Sequence, residues 1–201
     1  LLVGGTTGYV AYSTNGNDSW TKISKILQSG ATNIVAVADA DYANNNTIYA
    51  ATTVTGKNVK KFVIGDSDDW TDIFYASSTV TSIESVYGLA IFDGGLYALT
   101  NDGTDSSIWQ CLTPLTASSS SAKWAEKVTT ATTDDDDASV ILGQNAKSNQ
   151  GLVAGGGKLW AVKTNGTNKL YSFTDTLNEG GPVMVGPADK FQNKVNNVTG
   201  K

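Results

Sequence analysis

Sixteen aspartates and three glutamates (Glu84, Glu126, Glu179) carry whatever carboxylate chemistry this chain can do. Asp66, Asp68, Asp69 and Asp72 flank Trp70, and Asp102 and Asp105 lie in "NDGTDSS". Oxygen side chains alternating on tight turns suit calcium, which takes about six to eight oxygen ligands. Asp66, Asp68, Asp102 and Asp105 are therefore the candidate calcium ligands. No glutamate follows at the distance an EF-hand loop requires, and a solvated turn explains the same residues. Asp134 to Asp137 form one run, read as a solubilising loop. A glycosidase needs two facing carboxylates, but most acids here fall in turns.

What is missing narrows the chemistry further. All 14 basic residues are lysine, and histidine is absent. Without imidazole there is no Ser-His-Asp triad, no Cys-His dyad and no histidine metal ligand. Without guanidinium there is no bidentate clamp for carboxylate or phosphate. The single cysteine, Cys111, cannot form an internal disulfide or a thiolate metal site. It lies in the strand-like "SSIWQCLTP" and reads as a buried thiol. No catalytic residue is assigned, and no cofactor is expected apart from calcium. Net charge of −5 and a pI near 4.6 oppose nucleic-acid binding. No apolar run reaches the 18 or so residues of a membrane helix. The opening "LLVGG" reads as a strand already under way, which points to a piece of a longer polypeptide.

The elements that must hold these residues are strands. Charged residues make up 16% of the 201, against about 25% in typical domains. Thr, Ser, Asn, Asp and Gly fill the gap, a strand-and-turn vocabulary. The pattern repeats. "LLVGGTT", "TIYAATT", "GLYALTN" and "KLWAVKT" are each followed by a second short strand, and in three copies a Trp-led segment comes next. Those tryptophans are Trp20, Trp70 and Trp124, spaced by 50 and 54 residues. In three copies another apolar strand comes first: "NIVAVADAD", "VYGLAIFD" and "QGLVAGGG". This leading strand is the most continuously apolar, so it is expected to be buried on both faces. Units of about four antiparallel strands, more polar from first to last, predict an all-β fold of the β-propeller type, part of a larger ring. The repeats span roughly 1–28, 32–76, 83–129 and 139–186, with 187–201 as a tail or the start of a further blade. A β-sandwich is the alternative.

One turn is better kept than its siblings. Ser13-x-Asn15-x-Asn17-x-Ser19-Trp20 resembles the Asp-box, or bacterial neuraminidase repeat, whose pattern is Ser-x-Asp-x-Gly-x-Thr-Trp. Asn15 stands for the Asp, Asn17 for the Gly and Ser19 for the Thr. Asn can bond its own backbone two residues on and tolerates positive φ. The stretch "ADADYANNNTIYAAT" looks like the segment between Asp-boxes in large bacterial and archaeal surface propellers. "IGDSDDWTDI" and "SSSAKWAEKV" keep only the Trp. The resemblance implies that Ser13 and Asn15 cap a turn on the outer side of a blade. It also implies that Trp20, Trp70 and Trp124 anchor blade to blade with buried rings.

The sialidase activity in the repeat's name is not implied, since that family grips its substrate with three arginines. The resemblance implies instead a non-catalytic structural or interaction module, extracellular and on the cell surface, as in a surface layer or sheath. Its partners would be copies of itself, other surface proteins or glycans. A carbohydrate-binding or adhesion propeller is the alternative, and a glycosidase fragment completed by further blades is another. Trp109 and Trp160 could stack on sugars but sit in strand patterns that favour the core. Asn17, Asn45, Asn165 and Asn197 are N-glycosylation sequons in expected turns or tails, where an acceptor is exposed.

Overall fold

The computed structural model describes residues 1–31, 33–54, 58–80, 85–101, 106–130, 151–155, 158–163 and 169–173. Of Asn101, Ser106 and the residues beyond 126, only the backbone is described. The all-β expectation holds. Four antiparallel sheets are formed among these residues, and each is a meander in which chain neighbours are sheet neighbours. The first sheet contains β1 (Leu2–Gly4), β2 (Val10–Tyr12) and β3 (Thr21–Lys22). The second contains β4 (Ile34–Ala38), β5 (Thr47–Thr52), β6 (Lys60–Val63) and β7 (Thr71–Asp72). The third contains β8 (Ser85–Phe92), β9 (Gly95–Asn101), β10 (Ser106–Cys111) and β11 (Trp124–Thr130). The fourth contains β12 (Gly151–Gly155), β13 (Lys158–Lys163) and β14 (Lys169–Phe173). A single helical turn, α1 (Tyr42–Asn45), interrupts the second sheet between β4 and β5.

The sheets lie side by side, with β1 next to β4, β4 next to β8, and β8 next to β12. The period of two along a strand explains how the second sheet serves two neighbours at once. Ile48 and Ala50 of β5 join Val10, Ile23 and Leu27 of the first unit in one core. Tyr49 and Ala51, alternating with them, join Val86, Leu89, Leu96 and Ala98 of the third sheet in another. Every residue of β5 is buried as a result.

The leading strand β4 departs from the sequence expectation, because each of its residues is only half-buried. Its apolar run does not mark a doubly covered position. The leading strand of the third sheet, β8, is an edge strand like β4 yet has most of its residues buried, closer to the expectation, while β5 is covered on both faces. Gly4 sets how closely the first two sheets approach. A Cβ there would overlap the carbonyl oxygen of Ile34, so a side chain would force β1 away from β4.

Candidate functional site

The turn between β2 and β3 is closed by side chains. Ser13 Oγ donates to Asn15 Oδ1 (2.9 Å) and accepts from the Asn17 N–H (3.1 Å). Asn15 Oδ1 also accepts from the Ser19 N–H (3.1 Å), and Asn15 Nδ2 donates to Ser19 Oγ (2.8 Å). An aspartate could make the first two bonds of residue 15 unchanged, and the third only with its direction reversed, the Ser19 hydroxyl donating to the carboxylate. Asn17 adopts φ of 89° and Gly16 adopts 72°, the left-handed region that Asn and Gly tolerate best. Ser13 is buried and Asn15, Asn17 and Ser19 are exposed. The turn spends the Ser13 hydroxyl and both ends of the Asn15 amide on holding its own shape.

Trp20 differs from the expected buried anchor. It is 42% exposed, and its Nε1 donates to Asn17 Oδ1 (2.7 Å) within the same turn. Trp70 and Trp124 are buried and reach across to another unit. Trp70 Nε1 donates to the Lys25 carbonyl (3.2 Å), five residues past Trp20. Trp124 Nε1 donates to the Ile73 carbonyl (2.7 Å), three residues past Trp70. Their rings pack on Phe62 and Phe74, with centroids 5.1 and 5.3 Å apart. Trp20 has no sheet lying against it in this way among the described residues, so its ring stays in solvent.

The strongest buried polar constellation was missed in the sequence. Asp39 follows β4, and its Oδ2 accepts from the Tyr49 hydroxyl (2.6 Å). Its Oδ1 accepts from Asn45 Nδ2 (2.7 Å) and from the Asp41 N–H (2.9 Å). Burial alone would push the Asp39 carboxyl up, but the bonds from Tyr49, Asn45 and Asp41 outweigh it and hold it below the ordinary value. Burial and the neighbouring carboxylate push the Tyr49 phenol well above its usual range. A tyrosine beside an acid can be a nucleophile, but Tyr49 is fully buried and held protonated. The pair is a lock between β4, α1 and β5. The signal available was the short spacing of Asp39, Asn45 and Tyr49 around one loop.

That lock also engages one of the sequon asparagines. Asn45 is half-buried, its Nδ2 is held by Asp39, and its Oδ1 accepts from the Thr47 N–H (2.9 Å). Thr47, the sequon's hydroxyl residue, is 2% exposed. An acceptor asparagine has to be reachable, and the Asn45 amide would have to leave both of these bonds to be one. Asn17 is exposed. Asn165 and Asn197 lie outside the described residues.

Of the carboxylate clusters, the one around Trp70 lies in the described residues. Asp66 and Asp68 are exposed on the turn before β7, and Asp69 Oδ1 caps the Trp70 N–H (2.8 Å). Asp102 and Asp105 lie outside the described residues. No group of three or more Cys, Asp and Glu side chains converges among the described residues. Trp109 is half-buried edge-on against Phe74 at 5.3 Å, and only the backbone of Trp160 is described. Cys111 is a fully buried thiol.

A cleft of about 140 Å³ opens beside Gln110, Lys123 and Trp124, small against the roughly 300–1,000 Å³ of ligand pockets. Gln110 Nε2 donates to the buried Tyr97 hydroxyl behind it (2.6 Å). No helix described here is long and apolar enough to cross a membrane. No protein-family model matches the chain, and comparison with curated proteins finds no match.

Proposed function

We propose that the chain is a non-catalytic structural or interaction module of an extracellular surface protein, built as blades of a β-propeller. One observation carries the reading. The polar groups arranged well enough for chemistry are consumed in bonds that hold the fold. This is true of Ser13 and Asn15 in the turn and of Asp39 and Tyr49 in the core. The leading strands β4, β8 and β12 lie next to one another in a row, with β1 of the first unit beside β4, and this supports a radial arrangement of sheets. The Ser-, Thr- and Asn-rich loops suit a wet exterior, and Asn17 presents an exposed sequon on the turn. Calcium bound by the Asp66–Asp68 turn would add a surface link.

Sedimentation and negative-stain imaging of the purified chain, with and without millimolar calcium, test this. Ordered self-assembly is the expected result. A strict monomer in both conditions overturns the surface-layer reading.

A carbohydrate-binding role has its own observation, the exposed Trp20 ring beside Asn15, Asn17 and Asp18. Glycan titration followed by tryptophan fluorescence tests it. A response that survives Trp20→Ala would place the ligand elsewhere, and no response to a glycan panel would remove the role.

A further inference from the structure

We propose that Asn15 is a self-modification site. Its side-chain amide deamidates through the Gly16 main-chain nitrogen, at a rate set by the hydrogen bonds of the Ser13–Ser19 turn.

Asparagine is a thermolabile residue, and the residue after it governs how fast it reacts. Deamidation needs the main-chain nitrogen of the following residue to reach the side-chain Cγ. A Cβ on that residue obstructs the approach, and Gly16 has none. Space is open around it, since a Cβ built there would meet nothing within 4 Å. No hydrogen bond occupies the Gly16 N–H among the described residues. Asn15 and Gly16 are both exposed, so water reaches them. That exposure belongs to the position within the unit. Gly65, Asp66 and Asp68 are exposed on the matching turn of the second sheet, which has a sheet on either side. The other Asn-Gly pair of the chain, Asn165-Gly166, lies outside the described residues.

The Gly16 nitrogen gives up its proton and attacks Asn15 Cγ. The Cγ–Nδ2 bond breaks, and Nδ2 leaves as ammonia. Water then opens the cyclic imide. Breaking the new bond at Cγ gives aspartate, whereas breaking the original peptide bond gives isoaspartate.

The closed turn withholds this chemistry. Attack requires the reacting atoms to sit about 3–3.5 Å apart and aligned. Asn15 Oδ1 is tied to Ser13 Oγ and the Ser19 N–H, and Nδ2 is tied to Ser19 Oγ. Folding Cγ back onto its own main chain has to release Nδ2 and re-aim Oδ1. Ring closure therefore waits for the turn to open. Aspartate, once formed, closes the turn again, with the Ser19 hydroxyl donating where Nδ2 did. Isoaspartate lengthens the main chain between Ser13 and Ser19 and cannot. The turn thus works as a slow clock that adds a negative charge next to Gly16.

The test incubates the folded whole chain and a peptide of residues 11–21 side by side at neutral pH. Fragment mass spectrometry reads the fraction of acid at Asn15. The whole chain should react slower than the peptide by about tenfold or more, the effect of withholding one or two hydrogen bonds from the reactive state. Ser13→Ala and Ser19→Ala, each confirmed folded by circular dichroism, should speed the whole chain by about threefold or more. Ile48→Val loosens the core by an amount comparable to Ser13→Ala and should leave the rate unchanged. Three results would each overturn the proposal. They are a whole chain as fast as the peptide, no product in either serine variant by the time the peptide is spent, and an equal acceleration by Ile48→Val, which would assign the reaction to global unfolding.

Discussion

Trp20 and Trp124 open the fourth-strand position of their units in the same way, yet they do opposite things. Trp124 is buried on Phe74 and donates across a sheet boundary to Ile73. Trp20 lies half in water and donates to Asn17 three residues away. The turns before them are reversed in quality. The best-formed turn carries the unburied Trp, while the buried tryptophans follow segments that have lost the Ser and Gly positions. Turn chemistry and ring burial are thus separable. The turn is a local device that needs only Ser13, Asn15 and Ser19, whereas the anchor needs another sheet to press against.

The comparison can be broken by mutation. The largest effect is expected at Trp124→Ala, which should cost about 3–5 kcal/mol in urea-unfolding free energy. A loss under about 1 kcal/mol would mean that the ring does not hold the second and third sheets together. Asp39→Asn should follow, at about 1–3 kcal/mol, because it weakens a buried carboxylate that three donors satisfy.

The wild-type pH profile sharpens that second case. The Asp39 pKa is depressed in the fold, so its contribution is present above the ordinary carboxylate pKa and lost as pH falls through the lower folded value. The Tyr49 pKa is raised, so its contribution is present below the ordinary phenol pKa and lost as pH rises through the higher folded value. Asp39→Asn should flatten the acid limb of a stability-against-pH curve. An unchanged acid limb would deny Asp39 its role.

Ser13→Ala should cost about 1 kcal/mol, since it removes two bonds from a partly exposed turn. Trp20→Ala should cost least, within about 0.5 kcal/mol. A cost near that of Trp124→Ala would mean that Trp20 is covered in solution and that the two regions are alike.

The strands and the turn were legible because their causes are local. Alternation in "TIYAATT" and the Ser-Asn-Ser spacing act within a few residues. The misreadings share the opposite origin. The coverage of β4 and the exposure of Trp20 depend on which sheet lies alongside, and composition does not carry that information. The engagement of Asn45 was not legible because its partner, Asp39, comes from across the loop, and its neighbour Thr47 opens the fully buried β5. Asp39 and Tyr49 were passed over because their spacing around one loop, ten residues, shows that they can meet but not that the pair is buried.

The alternation along β5 has a consequence for how the molecule comes apart. Ile48 and Tyr49 are adjacent in sequence but belong to different interfaces, so mutating one loosens the sheet on one side and mutating the other loosens it on the opposite side. Stability in such a row behaves as a chain of nearest-neighbour couplings. The second sheet is the link through which the first and third sense each other. Unfolding that starts at the first sheet must pass through Ile48 before it reaches Tyr49, and a pair of probes one residue apart would read the two events separately.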